Sequence, residues 1–247
     1  MNIRQYLDST YLKTPEQAGL SESENIIIVK EFIKEAINEN FKLIMIRPNM
    51  VSLANRMISD ANSIVQIGTV IDFPKGKSTL EIKIKEANQA IIDGVNDLDF
   101  VCNYEAFKEG NVDLIKEEIL KCTQLGLANN KVVKWIIEVA ALTDKQIIQL
   151  SALIKNTIIT NFKEESFSSV FVKSSTGFYK TENNLPNGAT VSTIIMMLEN
   201  ASPLPVKAAG GVRTYEEAVE MIRLGVKRIG TSSAGSIANG QKFLGEY

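Results

Sequence analysis

Short apolar runs recur along the chain at a spacing that constrains its fold more than any other feature. Turn residues bound each run, and the length and β-branched content of the runs are typical of buried strands. They lie near residues 6–11, 42–47, 64–71, 97–103, 133–139, 169–174, 205–209 and 227–231. Their starts are roughly 20 to 40 residues apart, mostly about 35, which is the length of one strand, one helix and two loops. The pattern predicts eight consecutive βα units.

The segments between the runs carry signals for helix starts and ends. Ser78-Thr-Leu-Glu81 and Thr214-Tyr-Glu-Glu217 both fit capping boxes, and each is followed by apolar residues at helical spacing. Gly94 and Gly225 stand where a helix C-terminus favours a left-handed residue. Further helices are predicted over 23–38, 111–125, 143–155 and 190–200.

Two features near the third strand favour ordinary structural roles. The charged run Lys83, Lys85 and Glu86 is typical of a solvated helix face. The segment Asp72-Phe73-Pro74-Lys75-Gly76 ends the third strand with a proline turn, which favours an ordinary loop. The alternative is a loop that reaches the functional site.

Alternating βα units without a compositional break favour one closed barrel. The 247 residues match the length of about 250 at which such barrels fold as single units. The main alternative is a doubly wound open sheet, but its Gly-x-Gly-x-x-Gly fingerprint follows neither the first strand nor any other. We therefore predict a (β/α)8 TIM barrel of the α/β class that occupies residues 1–247 as a single domain.

Composition and charge exclude several classes of function. A net charge of −2 leaves no basic excess for a nucleic-acid partner. No segment reaches the ~18 apolar residues of a membrane span, and residues 1–8 contain no apolar signal segment, so we expect a cytoplasmic protein. Cys102 and Cys122 lack metal-ligand spacing and are expected to be reduced, structural thiols. The complete absence of histidine removes Ser-His and Cys-His nucleophile pairs, histidine bases and His-ligated zinc.

Two lysines, Lys173 and Lys207, end consecutive predicted strands and open glycine-bearing turns. In a barrel, functional groups gather at this end of the strands. If both side chains point inward, two ammonium groups lie on strands about 4.8 Å apart, and their repulsion lowers one pKa. A lysine activated in this way forms Schiff bases with carbonyl substrates, and the iminium permits cleavage or formation of a carbon–carbon bond. The alternative is one buried lysine paired with a carboxylate.

A proton shuttle is also needed, and three carboxylates on the fourth and fifth strands are candidates. Asp97 and Asp99 share a strand face, so alternation cannot choose between them, and Glu138 follows on the next strand. Each of the two aspartates could instead be an ion-pair partner for a lysine.

Two loops have the composition of anion-binding loops. Ala209-Gly210-Gly211-Val212-Arg213 follows the seventh strand, and Gly230-Thr231-Ser232-Ser233 follows the eighth, where barrels commonly bind phosphate. Glycines allow backbone N–H groups to approach the oxygens, and a helix starting near Ser233 would present its positive end. Ser175-Thr176-Gly177 would add donors beside Lys173. The alternative is that the glycines only make tight turns.

These residues resemble the deoxyribose-phosphate aldolases, a family of class I aldolases, and the similarity extends over nearly the whole chain. The most specific motifs are Val172-Lys173-Ser174-Ser175-Thr176-Gly177-Phe178, Val206-Lys207-Ala208-Ala209-Gly210-Gly211-Val212-Arg213-Thr214 and Arg228-Ile229-Gly230-Thr231-Ser232-Ser233. The weaker ones are Leu7-Asp8-Ser9-Thr10, Asp97-Leu98-Asp99-Phe100-Val101 and Ile137-Glu138.

The resemblance implies a barrel enzyme that reversibly cleaves 2-deoxy-D-ribose 5-phosphate to D-glyceraldehyde 3-phosphate and acetaldehyde, without metal or organic cofactor. It implies that Lys173 is the Schiff-base lysine, that Lys207 lowers its pKa and that Asp99 relays protons. It also implies a homodimer. The substrate-binding positions that it implies are Asp8, Thr10, Thr176, Gly177, Gly210, Gly211, Arg213, Gly230, Ser232 and Ser233.

The chain departs from the family pattern at a few positions. Ser9 replaces a frequent histidine, Met45 replaces a frequent cysteine, and Asp72 stands where glycine or asparagine is more usual. Tyr247 resembles a C-terminal tyrosine that some members bring into the site as a proton donor. Two other functions fit the same residues: a Schiff-base aldolase for another phosphorylated sugar or keto acid, and a phosphosugar-binding barrel without turnover.

Overall fold

The strands form a closed parallel barrel in the computed structural model, which describes residues 1–182 and 185–240. The strands are β1 (Leu7–Tyr11), β2 (Leu43–Ile46), β3 (Gln66–Ile71), β4 (Asp97–Val101), β5 (Val132–Ile136), β6 (Val170–Lys173), β7 (Val206–Ala209) and β8 (Arg228–Thr231). Each strand pairs in parallel with the next, and β8 pairs in parallel with β1. The predicted (β/α)8 barrel is confirmed, and the open-sheet alternative is wrong because β1 and β8 close the sheet.

Helices separate the strands and cover the outside of the barrel. They are α1 (Pro15–Ala18), α2 (Glu22–Glu39), α3 (Val51–Asp60), α4 (Leu80–Ile92), α5 (Tyr104–Lys108), α6 (Val112–Ala128), α7 (Asp144–Asn161), α8 (Val191–Ala201), α9 (Tyr215–Leu224) and α10 (Ala234–Ala238). Short 3-10 turns occur at Ile3–Tyr6, Pro48–Met50, Val139–Ala141 and Glu164–Ser169. The helices predicted over 23–38, 111–125, 143–155 and 190–200 correspond to α2, α6, α7 and α8.

One predicted capping box is confirmed and the other is wrong. Thr214 caps α9 through the backbone N–H of Glu217, and the Glu217 side chain accepts a hydrogen bond from the Thr214 N–H. Helix α4 instead begins after Thr79, because the Ser78 hydroxyl and N–H both donate to the carboxylate of Asp72. The side chain of Asp72, which follows β3, therefore binds the serine that the sequence pattern predicts as the helix cap.

Lys83 is buried and does not lie on a solvated helix face as its charged run predicted. Its side chain is 0% exposed, and its ammonium donates to Glu118 Oε1 at 2.8 Å and to the carbonyl oxygens of Gly76 and Val101. Lys85 in the same run is exposed, as predicted. The ion pair with Glu118 explains the difference, since a charge can be buried where it is paired and fully hydrogen-bonded.

The interior of the barrel divides into an apolar part and a charged part. The main hydrophobic core lies between the strands and the surrounding helices and includes Trp135, whose ring stacks on Phe100. Inside the barrel, a separate apolar cluster is formed by Leu12, Leu43, Met45 and Val70, with Phe73 and Phe178 packed against it. Another apolar cluster consists of Val101, Tyr104 and Ile136, and charged side chains occupy a further part of the interior. Helices long and apolar enough to cross a membrane do not occur among residues 1–182 and 185–240.

Candidate active site

Seven charged side chains meet inside the barrel, and each is at most 6% exposed. They come from six strands because residues of alternating parity on each strand point inward. The cluster consists of Asp8 from β1, Asp97 and Asp99 from β4, Lys134 from β5, Lys173 from β6, Lys207 from β7 and Arg228 from β8. Four basic groups therefore face three carboxyl groups.

Lys173 and Lys207 lie side by side, as the positions of the two lysines predicted. They are register partners on β6 and β7. Both ammonium groups donate to the same atom, Oδ2 of Asp99, and both distances are 2.9 Å. The alternative of a single lysine paired with a carboxylate does not describe this site, since the two lysines share one carboxylate.

The two aspartates that the sequence could not separate have different partners. Asp99 accepts from both lysines through Oδ2 and from Lys134 through Oδ1 at 2.8 Å. Asp97 pairs with Lys134 at 2.7 Å and with Arg228 at 3.3 Å. Asp99 is thus the carboxylate of the lysine pair, whereas Asp97 balances the basic groups deeper in the cluster.

Asp8 supports the cluster from the first strand. Its Oδ2 lies 2.5 Å from the Lys207 ammonium, and its Oδ1 lies 2.6 Å from the Arg228 guanidinium. The two ion pairs lower the pKa of the Asp8 carboxyl group although burial opposes its ionisation. The side chain is fully buried and does not line the cavity above the lysines.

Lys173 has the lowered pKa that nucleophilic chemistry needs. Burial lowers the pKa of its ammonium, Asp99 opposes this effect and Lys207 adds to it, so that the pKa is about 8. At Asp99 the balance between burial and neighbouring charges is reversed. Burial raises its pKa, but Lys134, Lys173 and Lys207 outweigh burial and hold that pKa well below its usual range. The pair thus combines an ionised carboxylate with an amine that is partly unprotonated at neutral pH.

A cavity of about 130 Å³ opens above Lys173 at the carboxyl ends of the strands. Eight of the ten predicted substrate-binding residues line it together with Lys173: Thr10, Thr176, Gly177, Gly210, Gly211, Arg213, Gly230 and Ser232. Asp8 and Ser233 do not. Ser233 is buried, and its N–H donates to the Thr231 hydroxyl within the same loop.

Glycines shape the cavity wall by their backbone conformation and by close packing. Gly177, Gly210 and Gly211 have φ values of 78°, 82° and 95°, which side-chain-bearing residues adopt only with strain. A Cβ on Gly188 would lie 2.4 Å from the Gly210 carbonyl oxygen, so this glycine lets the loop before α8 pack on the loop after β7. A Cβ on Gly230 would lie 3.0 Å from Cε of Lys207.

Glu138 holds a loop of the cavity and does not contact the lysine pair. It accepts hydrogen bonds from the hydroxyl groups of Ser175 and Thr176 and from the Thr176 N–H. Burial raises the pKa of its carboxyl group, which the two hydroxyl groups partly offset. Its left-handed backbone conformation, with a φ of 56°, interrupts the extended chain after β5 and directs the side chain toward these residues. Glu138 therefore positions the donors beside Lys173.

Sequence reasoning missed Lys134, Arg228 and Asn187. Lys134 stands inside the apolar run Val-Val-Lys-Trp-Ile, and a charge on the inward face of such a strand is the signal that could have found it. Arg228 begins β8 and the motif of residues 228–233, but its ion-pair partner Asp8 is 220 positions away in the sequence, so the pattern alone does not indicate the pair. Asn187 lines the cavity from a turn and carries no comparable signal.

Ser9, Met45 and Asp72, the family departures within the described residues, belong neither to the charged cluster nor to the residues that line the cavity. Asp72 has a φ of 54°, which explains why glycine or asparagine suits this position. The neighbouring Phe73 packs edge-to-face on Phe178, which lines the cavity. Ser9 and Met45 are buried. Tyr247 lies outside the described residues.

Several known proteins that resemble this chain are named as aldolases. "Deoxyribose-phosphate aldolase" from Thermococcus gammatolerans is 36% identical over 98% of this chain and 97% of its own. The protein of the same name from Streptococcus suis is 34% identical over the full length of both chains. Among solved structures, "QR15, an Aldolase" matches with a TM-score of 0.80 and 31% identity over 97% of this chain and 95% of its own.

A further solved structure is described as a unique tetrameric deoxyribose phosphate aldolase from Aeropyrum pernix. It matches with a TM-score of 0.77 and 26% identity, and covers 96% of this chain and 89% of its own. The model of the DeoC/LacD family aldolases matches residues 6–241. Nearly the whole chain, including all eight strands and the charged cluster, lies within that match, and the protein is therefore an aldolase, a lyase, that belongs to the DeoC/LacD family.

Proposed function

We propose that the protein reversibly cleaves 2-deoxy-D-ribose 5-phosphate to D-glyceraldehyde 3-phosphate and acetaldehyde through a Schiff base on Lys173. The observation that carries this proposal is a lysine at the cavity wall whose pKa is about 8 and whose ammonium shares Asp99 with a second lysine. The relatives named for this reaction support the substrate.

The chemistry follows from a nucleophilic amine in front of an aldehyde. The Lys173 amine attacks the C1 carbonyl of the open-chain sugar, and the carbinolamine loses water to form an iminium. When a base takes the proton of the C3 hydroxyl, the C2–C3 bond breaks and its electron pair forms an enamine, while glyceraldehyde 3-phosphate leaves. Protonation of the enamine at C2 and addition of water then release acetaldehyde and restore the amine.

Asp99 and Lys207 are the proposed proton-handling groups. Asp99 stays ionised in the resting site and orients both ammonium groups, and protons pass along this pair through water during dehydration, cleavage and hydrolysis. Asp8 holds Lys207 from the other side and so orients it without contact with the cavity.

The glycine-bearing loops after β6, β7 and β8 are the proposed phosphate site. Gly177, Gly210, Gly211 and Gly230 let backbone N–H groups approach the anion, and Arg213 supplies positive charge at the cavity wall. Thr10, Thr176 and Ser232 add hydroxyl groups to the lining. Ser233 acts from behind this lining, because its N–H fixes the conformation of the eighth loop.

Three further properties belong to the same proposal. The chain forms a single domain over residues 1–247, as the continuous core from Ile3 to Ile237 supports. It assembles as a homodimer on the strength of the family resemblance, in contrast to the tetramer of the Aeropyrum pernix protein. It functions in the cytoplasm without a cofactor, and its free thiols Cys102 and Cys122 are compatible with a reducing compartment.

Trapping of the Schiff base tests the mechanism and identifies the nucleophile. The protein is incubated with acetaldehyde, reduced with borohydride and digested, and the modified lysine is located by peptide mass spectrometry. We expect an ethyl group on Lys173. Lys173→Leu should stay folded and lose both the adduct and the cleavage of deoxyribose 5-phosphate, while Lys85→Leu, which changes an exposed lysine, should keep both.

The same experiment separates the alternatives. An ethyl group on Lys207 would exchange the roles of the two lysines. Absence of any adduct, or substantial turnover by Lys173→Leu, would contradict the proposed mechanism. An adduct on Lys173 without turnover of deoxyribose 5-phosphate would retain the Schiff base and reject the substrate.

A further inference from the structure

Arg47 lies at the mouth of the barrel where β2 ends. Pro48 follows it and restricts its backbone to an extended conformation, and the observed φ and ψ are −66° and 153°. Because an extended backbone preserves the alternation of the strand, Arg47 shares the face of Leu43 and Met45, which belong to the apolar cluster inside the barrel. A cationic side chain therefore caps the apolar part of the barrel interior.

The Arg47 side chain contacts segments that follow three other strands. Its Nε donates to the carbonyl oxygen of Leu12 at 2.7 Å, just after β1. Its guanidinium lies 4.9 Å from the ring centroid of Phe73 after β3 and 6.0 Å from that of Phe178 after β6. The two rings are packed edge-to-face with centroids 5.1 Å apart. One side chain thus ties together the carboxyl-end loops of β1, β3 and β6.

Two of these contacts reach the cavity directly. Leu12 and Phe178 line it, whereas the glycines and Arg213 line its anion-binding side. Leu12 and Phe178 therefore form an apolar wall of the cavity above Lys173, and the Arg47 side chain contacts this wall from the side that faces away from the cavity. Such a contact combines a charge-assisted hydrogen bond with cation–π attraction, and both favour one fixed placement of the rings.

We propose that Arg47 is a positioning residue that fixes Leu12 and Phe178 as the apolar wall of the cavity and thereby determines how tightly the carbon chain of the substrate binds in front of Lys173. The inference rests on the proposed function for the identity of that substrate. Arg47 acts through the wall and takes no part in the chemistry at the amine. Its loss therefore raises KM and leaves the reactivity of Lys173 unchanged.

Arg47→Met tests the inference because methionine keeps an unbranched apolar side chain and removes the guanidinium. We expect KM for deoxyribose 5-phosphate to rise about three- to tenfold, from the strength of one partly exposed cation–π contact and one hydrogen bond, with kcat within about twofold. Arg47→Lys, which keeps the charge, should recover part of the KM. Arg56→Met, which removes an exposed arginine of α3, should leave both constants unchanged.

A double variant shows whether Arg47 acts through the rings. If it does, Arg47→Met combined with Phe73→Leu raises KM by less than the product of the two single effects, because both changes disturb the same wall. Hydrogen exchange gives a readout that does not depend on activity: peptides containing Leu12 and Phe178 should exchange faster in Arg47→Met than in the wild type and in Arg56→Met.

The outcomes separate this inference from the proposed function. If wild-type protein forms no ethyl adduct on Lys173, the proposed function fails, and hydrogen exchange still decides whether Arg47 holds the wall. If wild-type protein forms the adduct and turns over, an unchanged KM in Arg47→Met overturns the inference alone. A fall in kcat with an unchanged KM, or a shifted pH profile of trapping, would also overturn it, because Arg47 would then act on the amine.

Discussion

At the scale of single residues, the site depends on a balance of opposing effects on Lys173. At pH 7 an amine with a pKa of about 8 is roughly one tenth unprotonated, against less than about 0.1% for an ordinary lysine. Burial and the neighbouring ammonium groups favour the free amine, whereas Asp99 favours the ammonium. When Lys173 is neutral, the three remaining basic groups of the cluster match its three carboxylates. The neutral amine is therefore the state in which the buried charges balance.

Replacing Lys207 should move the pH dependence of the enzyme. Lys207→Met removes a positive charge that lowers the pKa of Lys173, and it leaves Oδ2 of Asp99 with Lys173 as its remaining lysine partner. Both effects raise the pKa of Lys173, so the rise of kcat/KM with pH should move to higher pH. The pH profile of borohydride trapping with acetaldehyde measures this directly. Lys85→Met provides the control.

The alternative outcome is equally specific. A lower rate with an unchanged pH profile would mean that Lys207 handles protons without influencing the pKa of Lys173, and a shift to lower pH would contradict the charge balance of the site.

At the scale of elements, the loops that follow the strands are held in place by buried polar groups. Lys83 of α4 connects the carbonyl oxygens of Gly76 and Val101 with the carboxylate of Glu118 on α6. The loop after β3 is thus tied to the end of β4. This loop carries Phe73, which packs against the cavity wall, so the stability of the outer layer and the shape of the site are physically connected.

Breaking the Lys83–Glu118 pair should destabilise the protein. Lys83→Met leaves a buried carboxylate unpaired, which costs about 3–5 kcal/mol of the free energy of unfolding, while Lys83→Met with Glu118→Leu should recover most of the loss. Urea unfolding at pH 7 measures both. Lys85→Met should change the free energy of unfolding by less than about 0.5 kcal/mol. A double variant as unstable as the single one would show that the hydrogen bonds to the loop, and not the unpaired charge, carry the effect.

Element positions could largely be predicted from the sequence, because periodicity and turn residues act locally. Besides the start of α4, differences lie at strand ends. The sequence predicts that the fourth and fifth strands reach residues 103 and 139, but they end at Val101 and Ile136. Asn103 instead caps α5, and Glu138 adopts a left-handed conformation before a 3-10 turn. Polar side chains that bond to the backbone or to neighbouring loops end these strands early, and apolar periodicity contains no information about them.

The buried charges show why the rest could not be predicted. Lys173, Lys207 and Asp99 were found because motifs and strand ends single them out. Lys83 and Lys134 were not, since a lysine in a helix or strand is normally solvated and their acidic partners lie 35 and 37 positions away in sequence. The pairing of β4 with β5 brings Lys134 to its aspartates, and the packing of α4 on α6 brings Lys83 to Glu118, so these partners meet only in the folded protein.

At the scale of the whole molecule, closure of the barrel assembles the site. The charged cluster takes residues from β1 and from β4 to β8, so it needs both ends of the sheet. Closure depends on the parallel pairing of β1 with β8, in which Asp8 is the partner of Gly230. Asp8 then reaches Arg228 and Lys207, which lie on strands from the other end of the chain.

The reactivity of Lys173 should therefore disappear in the same transition as the fold. An open or partly unfolded barrel loses the burial and the neighbouring ammonium groups that lower the pKa of Lys173, and that lysine returns to the ordinary pKa of about 10.4, where acetaldehyde trapping at pH 7 is slow. Trp135 reports on the core because its ring is fully buried against Phe100. We expect the urea midpoints of Trp135 fluorescence, far-UV circular dichroism and Lys173 trapping to coincide, as a single cooperative domain requires. If Lys173 trapping were lost at a lower urea concentration than Trp135 fluorescence, β1 and β8 would separate while the remaining strands stay folded. The chain would then contain two folding units, which contradicts the single-domain proposal.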